Sequence, residues 1–454
     1  MTIYALRAIT TVLAFLYTLV VLGTCTAQTP TQTGIVADAV QEEIPLGLSA
    51  PVSVNILNPR GDISLALQEA ADIFLAGRPG AQIRIQTVES PSEYRAVLRA
   101  KLSAGEQVDL FHIFGCSDLL DLREHVRDLS GLDWVGTALP EALEAVRVEG
   151  AVWGVPYCVE GIGLIANRRV LEAAGIAPGG LLTYSDISEA FAELRSQIDS
   201  GELAEEFPEL AYVTEYPALD NRFLGEQLAA VALTGAFDTP RQAAEASLVG
   251  FVHGDMLEAY VQLMGRYSSS RRDWSGLSAV AENQQVENGL AAGRIAVIQQ
   301  STSIWKRVAQ IDQALADQLV LLPISLKEDG EGAVYTTVPS YWAVNKNASD
   351  ASAQLAEAFL TWLYQSDGGG AFLAERFGVL SPYRESAGDT GAALHKQLLS
   401  YIAYGGTLPA LGTEAPGDWG TDVFAPNLRA YLADELTWAE MLETDMLEWK
   451  RRRE

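Results

Sequence analysis

One carboxylate stands in an unusually apolar part of the sequence. The stretch AVWGVPYCVEG, residues 151–161, is apolar and aromatic, turns at Pro156 and then brings Cys158 and Glu160 among small neighbours. Burying a carboxylate costs free energy unless a cation or a hydrogen-bond donor pairs with it. Glu160 is therefore the first candidate for a binding residue, and either the fold or a ligand has to supply its partner.

Cysteines and histidines are the next residues that could do chemistry. Cys116 and Cys158 could form one disulfide in an oxidising compartment, and two buried free thiols are the alternative. There is no CxxC pair, and the four histidines are scattered along the chain: His112, His125, His253 and His395. The sequence therefore predicts no metal site and no cofactor.

No catalytic motif accompanies Glu160. The sequence contains no nucleophile elbow, no HExxH and no ordered Ser, His and Asp set. With 59 acidic residues, spacing alone cannot nominate a glycosidase pair of carboxylates. We therefore expect a protein that is not an enzyme, with a carbohydrate-active enzyme as the less favoured alternative.

Composition limits the partners of the chain. Its 454 residues are 48% hydrophobic and 20% charged, which predicts a globular protein large enough for two domains. The net charge is −28, and the only dense basic cluster is Lys450–Arg453, which suits the last turn of a helix. Because nucleic-acid binding needs basic surfaces, we expect no nucleic-acid partner.

The first 27 residues are typical of an export signal. Arg7 precedes an apolar run, residues 8–22, that is short for a membrane span. The following Leu-Gly-Thr-Cys resembles a bacterial lipobox, in which Cys25 would carry the lipid. Cleavage after Ala27 is the alternative, and an uncleaved anchor is a third. All three place the chain outside the cytoplasmic membrane, in the periplasm or on the cell surface; we favour the lipid anchor. The composition of residues 28–50, which follow the signal, predicts a flexible tether.

Strands and helices alternate directly after this tether. Strands are predicted at 51–57, 81–88 and 108–114. One helix is predicted to start near Asp62, which would be its N-cap, and a second helix is predicted at 91–104. This order indicates a parallel α/β sheet with right-handed crossovers. Ligands bind beyond the carboxyl ends of strands in such sheets, which here are residues 58–60 and 115–118.

The second half of the chain predicts more strands and a helical end. Strands are expected at 151–158, 161–168, 294–300, 318–324 and 334–345, the last one broken at Pro339. Helices are expected at 351–365, 391–404, 419–432 and 437–451. The first and last of these strands are long enough to cross between two domains.

The order of these segments resembles the extracellular solute-binding proteins of ABC importers, in the maltose- and oligosaccharide-binding family. The resemblance runs from Pro51 to the last helix. It is carried by VDLFHIF, GVPYCVEGIGLIANRRVLEAAGI, LAAGRIAVIQQSTSIW, VPSYWAVNKNASDASAQLAEAFLTWLYQSDGG, FGVLSPYRESA and DELTWAEMLETDMLEW.

The resemblance implies an α/β, two-lobed periplasmic-binding-protein-like fold of type II. Two discontinuous α/β domains would be joined by hinge strands, with the ligand in the cleft between them. Lobe one would hold residues 51–157 and 343–405, and lobe two residues 158–342 and 406–454. The implied function is to capture a mono- or oligosaccharide and to deliver it, as a monomer, to the permease subunits of an ABC transporter. The alternative ligands are Fe³⁺, a polyamine or an organic ion.

The resemblance also implies which residues contact the ligand. Sugar rings stack on aromatic faces, and their hydroxyls need directed donors and acceptors. Family members place such residues at positions matched here by Glu160 in the first crossing, Trp305 after a buried strand and Trp419 at the start of a C-terminal helix. Tyr341 and Trp342 in the return crossing and Asn58 at a strand end are further candidates. Asp118, at another strand end, is a substitute for a family Asp whose strictly aligned position here is Cys116. Packing or capping roles are the alternatives for each.

Overall fold

The computed structural model describes residues 51–383 and 391–454. The predicted signal, Cys25 and the tether lie outside the described residues. Within the described ranges, none of the helices combines the length and the apolarity that a bilayer crossing requires.

Twelve strands are found in the described ranges. In chain order they are β1 (Val52–Asn58), β2 (Ala81–Thr87), β3 (Leu110–Ile113), β4 (Arg147–Val148), β5 (Ala151–Val152), β6 (Val155–Pro156), β7 (Glu160–Asn167), β8 (Val297–Ser301), β9 (Leu319–Leu322), β10 (Val334–Thr337), β11 (Tyr341–Val344) and β12 (Thr407–Pro409).

The α-helices, again in chain order, are α1 (Ser64–Leu75), α2 (Pro91–Ala104), α3 (Cys116–Leu122), α4 (Pro140–Leu143), α5 (Arg168–Ala173), α6 (Tyr184–Ser200), α7 (Ala229–Ala232), α8 (Pro240–Glu245), α9 (Gly254–Tyr267), α10 (Glu282–Gln285), α11 (Trp305–Ile311), α12 (Gln313–Ala316), α13 (Asp350–Gln365), α14 (Asp367–Phe372), α15 (Ala393–Tyr404), α16 (Ala425–Leu432) and α17 (Trp438–Arg453). Four π-helical segments adjoin them, at Phe223–Leu228, Val286–Ala291, Leu373–Phe377 and Gly420–Phe424.

The first sheet has the strand order β2-β1-β3-β11-β6. Strand β1 runs parallel to β2 and β3, with Ile56 opposite both Ile85 and Leu110. Helix α2, which links β2 to β3, starts at Pro91 after the N-cap Ser90 and ends at Gly105, whose φ of 69° favours glycine. The parallel sheet predicted for the start of the chain is confirmed. Strand β11, which comes much later in the sequence, runs antiparallel to β3 and β6.

The second sheet is built around β7. This strand pairs antiparallel with β8 on one side, and with β10 and β9 on the other. Strand β12 extends the sheet beside β10. All residues of β8 and β9, and all of β7 except Glu160, are buried, as expected for strands covered on both faces. Most are apolar in β7 and β9, whereas β8 ends in Gln299, Gln300 and Ser301.

Two segments connect the sheets within the described ranges. The chain leaves β6 and enters β7 through residues 157–159, and it returns from β10 to β11 through residues 338–340. Ser340 in the return segment lies 2.9 Å from His112 Nδ1 of β3, through its Oγ. The long strand predicted at 334–345 is thus two strands of different sheets, divided next to Pro339 as the sequence indicated.

The strand partners refine the predicted lobe boundaries. Tyr341 and Trp342 belong to β11 of the first sheet, although the predicted boundary at 343 put them in lobe two. Helix α15 packs on the second sheet, since Gln397 hydrogen-bonds the backbone of Leu319 and Leu321. These contacts favour boundaries before Tyr341 and before Ala393 instead of at 343 and 405.

The buried apolar residues form two clusters. One includes the interior of the first sheet and continues onto one face of the second sheet, where Ile165 of β7 belongs to it. The other covers the opposite face of β7 and the C-terminal helices, with Trp419 and Trp449 fully buried. Within it, Gly225 and Gly420 lie so close that neither position has room for a Cβ atom.

Candidate functional site

A cleft of about 830 Å³ lies between the two sheets. Its walls come from the loop after β1 and the start of α2 on one side, and from β7, the end of β8 and the π-helical segments on the other. The cleft volume lies within the range of ordinary small-molecule sites. The cleft thus opens where the sequence predicted, at the carboxyl ends of the parallel strands and at the crossing that carries Glu160.

Glu160 is the first residue of β7, and its half-buried side chain lines the cleft. Its Oε2 accepts a hydrogen bond from Ser301 Oγ at 2.5 Å. Its Oε1 has only the Cys158 thiol nearby, with Sγ 3.8 Å away. Among the described residues, Glu160 has no basic side chain within ion-pair distance. One carboxylate oxygen of this cleft-lining residue therefore has only a weak donor.

Arg60 approaches the same cleft from the first sheet. Its Nε and Nη2 donate to the two carboxylate oxygens of Asp62 at 2.9 and 2.8 Å, so Asp62 pairs with Arg60 and is not the predicted helix cap. The guanidinium lies 5.1 Å from the ring centroid of Tyr157. Its Nη1 is buried and has no hydrogen-bond partner. Arg60 thus supplies a fixed cationic donor with unused capacity.

A row of glutamines forms the neighbouring wall. Gln227 Nε2 donates to Gln300 Oε1 at 2.9 Å, and Gln300 Nε2 donates to Gln285 Oε1 at 3.0 Å. Gln285 in turn donates to the carbonyl oxygen of Glu215 at 2.8 Å. The row ends at Gln227 Oε1, a buried acceptor without a donor. The amide planes are therefore fixed, and one free acceptor remains on a side chain that lines the cleft.

Asp118 supports the cleft indirectly. It is 9% exposed, accepts from Phe114 N at 3.0 Å and pairs with Arg95 at 3.0 Å. Arg95 is the member of the pair that lines the cleft; it also bonds Asp418, and its guanidinium lies 4.6 Å from the ring centroid of Phe114. Asp118 therefore orients Arg95, and its predicted ligand contact is not supported.

Asn58 has a similar supporting role. Its side chain is fully buried, accepts from Arg60 N at 3.1 Å and donates to Arg60 O at 2.7 Å. A second bond joins it to Thr87 of the adjacent strand. Asn58 shapes the turn that presents Arg60 and does not itself line the cleft.

Two of the predicted aromatic contacts lie away from the cleft. Trp342 is fully buried in the first sheet, where its indole N–H donates to Tyr364 OH at 3.0 Å and its ring lies 3.8 Å from that of His112. Trp305 is half-buried, donates to Ala316 O at 3.2 Å and packs on the core. Neither indole is among the residues that line the cleft.

The other two predicted aromatic contacts are also enclosed. Trp419 borders the cleft but is fully buried, with its N–H bonded to Asp445 O at 2.9 Å. Tyr341 is 3% exposed and lines a separate cavity of about 260 Å³ between the lobes. Of the seven predicted contacts, only Glu160 presents its side chain to the cleft.

The predicted pairing of Cys116 and Cys158 is not formed. Both are buried free thiols. Cys116 begins α3 after the first sheet, whereas Cys158 lies in the crossing beside Glu160. Burial raises the pKa of Cys116 to about 12 and also raises that of Cys158. The thiols are therefore held protonated.

Sequence reasoning missed several polar residues of the cleft. Arg60 lies at a strand end that was predicted to bind ligand, and Ser301 directly follows a predicted strand, so position could have indicated both. Gln227 lies in a helical segment with no distinguishing pattern. The described residues contain no group of three His, Cys, Asp or Glu side chains arranged to hold a metal ion.

Comparison with protein families finds one that covers most of the chain. The model described as bacterial extracellular solute-binding protein matches residues 60–370. Comparison with curated protein sequences finds no significant match.

Solved structures with the same architecture are numerous. The putative binding protein MsmE from Bacillus subtilis, in an open conformation, is 18% identical with a TM-score of 0.70, over 89% of this chain and 98% of that one. Maltose-bound MalE3 from T. maritima is 15% identical with a TM-score of 0.65, over 88% and 99% of the two chains. A Bacillus licheniformis sugar transporter protein in complex with stachyose is 18% identical with a TM-score of 0.65, over 88% and 100%. The predicted two-lobed α/β fold is confirmed.

Proposed function

The chain belongs to the bacterial extracellular solute-binding protein family, and we propose that its cleft captures a carbohydrate for delivery to an ABC permease. Structural neighbours include proteins solved with maltose and with stachyose, and this chain shares their fold. At this level of identity the shared fold does not choose the ligand, so the proposal rests on the cleft itself.

The observation that carries the proposal is the presence of unused donors and acceptors along one cleft. Arg60 Nη1 is a buried donor without an acceptor, and Gln227 Oε1 is a buried acceptor without a donor. Glu160 Oε1 adds a second acceptor with only a thiol nearby. A sugar hydroxyl both donates and accepts, so the hydroxyls of a bound sugar are suited to pair with groups of both kinds.

No chemical step is assigned to the cleft. Glu160 is held by Ser301 and Arg60 by Asp62, so both are positioned for binding. A site between two lobes also suits capture and release, because periplasmic binding proteins bind their ligands by closing two domains around them.

Isothermal titration calorimetry with a panel of mono- and oligosaccharides tests the proposal. We expect at least one sugar to bind, and Glu160→Ala and Arg60→Met each to weaken it more than tenfold, because each removes a charged hydrogen-bonding group, worth about 1.5–3 kcal/mol. Glu443→Gln, an exposed carboxylate on α17, serves as the control and should leave affinity unchanged. Tight binding of a non-sugar solute only, with no sugar bound, would reject a carbohydrate ligand.

The anchoring and delivery steps are part of the same proposal. The lipobox-like Leu22–Cys25 supports a lipid on Cys25, and the family is extracellular. Labelling of the expressed protein with a fatty-acid probe should be lost in Cys25→Ala; a labelled Cys25→Ala variant would reject this anchor. Co-purification with permease subunits from solubilised membranes tests the partner.

A further inference from the structure

The cleft lacks the free aromatic faces on which neutral sugar rings stack. Trp342 and Trp419 are fully buried, and Trp305 does not line the cleft. Phe223 and Phe377 line the cleft, but both are buried. Phe114 lines the cleft, but the Arg95 guanidinium lies 4.6 Å over its ring. Affinity in this cleft must therefore come from directed polar and charged contacts more than from stacking.

The arginines of the cleft already have acidic partners in the protein. Arg222 pairs with Glu226 at 3.0 Å, and Arg307 pairs with Glu282 at 2.6 Å. Arg60 and Arg95 are held by Asp62 and by Asp118 with Asp418, as described above. The one lysine, Lys306, donates to the carbonyl oxygen of Arg376 at 2.5 Å. Four of the five basic residues are therefore already paired with carboxylates of the protein. Arg60 Nη1 and Lys306, which contacts only a carbonyl oxygen, are the cationic donors that remain.

The acidic side of the cleft is not balanced in the same way. Eight acidic and five basic residues line it, in a chain whose net charge is −28. Glu160 is half-buried and has no basic partner within ion-pair distance among the described residues; Ser301 Oγ satisfies one oxygen only. A half-buried carboxylate of this kind is best satisfied by a cationic donor from the ligand.

We infer that, given the carbohydrate ligand proposed above, the sugar carries a protonated amino group that binds Glu160 Oε1. The ammonium donates to the oxygen that faces only the Cys158 thiol. Neighbouring hydroxyls take the donor of Arg60 and the acceptor of Gln227. The local field of the cleft favours this cation over a neutral sugar and disfavours a uronate.

A matched ligand series tests the inference by calorimetry. Each neutral sugar of the panel is compared with its amino, N-acetylamino and uronate counterparts, near neutral pH and at low and high salt. We expect an amino sugar to bind at least tenfold more tightly than its neutral counterpart, because a charged hydrogen bond is about twice as strong as a neutral one. We expect N-acetylation to remove this preference and added salt to reduce it.

Variants assign the effect to Glu160. Glu160→Gln keeps the shape of the side chain and should abolish the preference for the amino sugar. Glu160→Asp keeps the negative charge and should retain a preference for the amino sugar, and the exposed control Glu443→Gln should leave the preference unchanged. Thermal unfolding of each variant shows whether it folds, and the matched ligand series on the wild-type protein keeps the inference testable if Glu160→Gln does not.

The outcomes separate the two proposals. Equal or tighter binding of the neutral sugar, tightest binding of the uronate, or an amine preference that survives in a folded Glu160→Gln would each overturn the inference while leaving a carbohydrate ligand in place. If no sugar of any kind binds, the proposed function fails and the inference fails with it.

Discussion

Ser117 and Glu414 bind each other through both backbone and side chain. Ser117 N donates to Glu414 Oε2 at 2.8 Å, and Ser117 Oγ donates to the Glu414 carbonyl oxygen at 2.8 Å. The other carboxylate oxygen accepts from Cys116 N at 3.0 Å. Ser117 lies in α3 after the first sheet, and Glu414 follows β12 of the second sheet. These bonds therefore join the two lobes at a place other than the crossing segments.

The buried Glu414 makes stability depend on pH. Burial raises the pKa of its carboxyl group from 4.5 to about 7. The folded protein thus binds a proton more tightly than the unfolded chain does, so the free energy of unfolding falls as pH rises from about 4.5 to about 7. The loss is on the order of 3 kcal/mol and is complete above that range.

Urea unfolding at several pH values measures this slope. Glu414→Gln cannot titrate and should flatten it, while Glu443→Gln on the surface should leave it as in the wild type. Burial also raises the pKa of Asp445 to about 7, so Asp445→Asn should remove a second part of the slope. A slope that is the same in Glu414→Gln and in the wild type would contradict the prediction.

Arg95 forms a second link between the lobes, through Asp118 of the first and Asp418 of the second. Arg95→Met leaves two partly buried carboxylates without their cation, and we expect the free energy of unfolding to fall by about 1–3 kcal/mol. Arg99 on the same helix pairs with Asp121 in an exposed position. Arg99→Met should therefore cost less than about 1 kcal/mol. If urea unfolding shows the same loss of unfolding free energy in both variants, the Arg95 link does not stabilise the protein more than an exposed ion pair does.

Trp342 should affect stability and not ligand binding. In Trp342→Phe the hydrogen bond to Tyr364 is lost and the core is underfilled, so we expect a destabilisation of about 1–3 kcal/mol. Affinity for the bound sugar should stay close to the wild-type value. Urea unfolding measures the stability of the variant, and calorimetric titration measures its affinity for the sugar. Reduced affinity at unchanged stability would show instead that Trp342 contacts the ligand.

Cys116 and Cys158 should react only after unfolding. Both thiols are buried, and burial raises the pKa of each, which suppresses the reactive thiolate. Alkylation followed by peptide mapping should find both peptides unmodified in the native protein and separately modified in urea. A peptide pair linked through these two cysteines would contradict the free thiols.

The sequence was a good guide to elements and a poor one to the site. Helix α2 starts and ends at the predicted residues, because Ser90, Pro91 and Gly105 are strong local signals. Glu160 was found because a carboxylate among apolar residues is unusual anywhere. Trp342 was misplaced because an indole suits a core as well as a stacking site, and only the packing of β11 between β3 and β6 decides between them.

The polar half of the cleft depends on contacts between distant residues. Gln227 is oriented by its hydrogen bond to Gln300, and Arg60 is positioned by Asn58 and Tyr157. No local pattern records such pairs. The donors and acceptors of the cleft could therefore be recognised only once both lobes were placed together.

The late position of β11 in the chain sets the order in which the protein can be completed. This strand lies between β3 and β6 in the first sheet, and its flanking Ser340 bonds His112 across 228 residues of sequence. The first sheet therefore stays open until strands β7 to β10 of the second sheet have been synthesised. Long-range closure of this kind is slow, so the first lobe can be completed only when most of the chain is available.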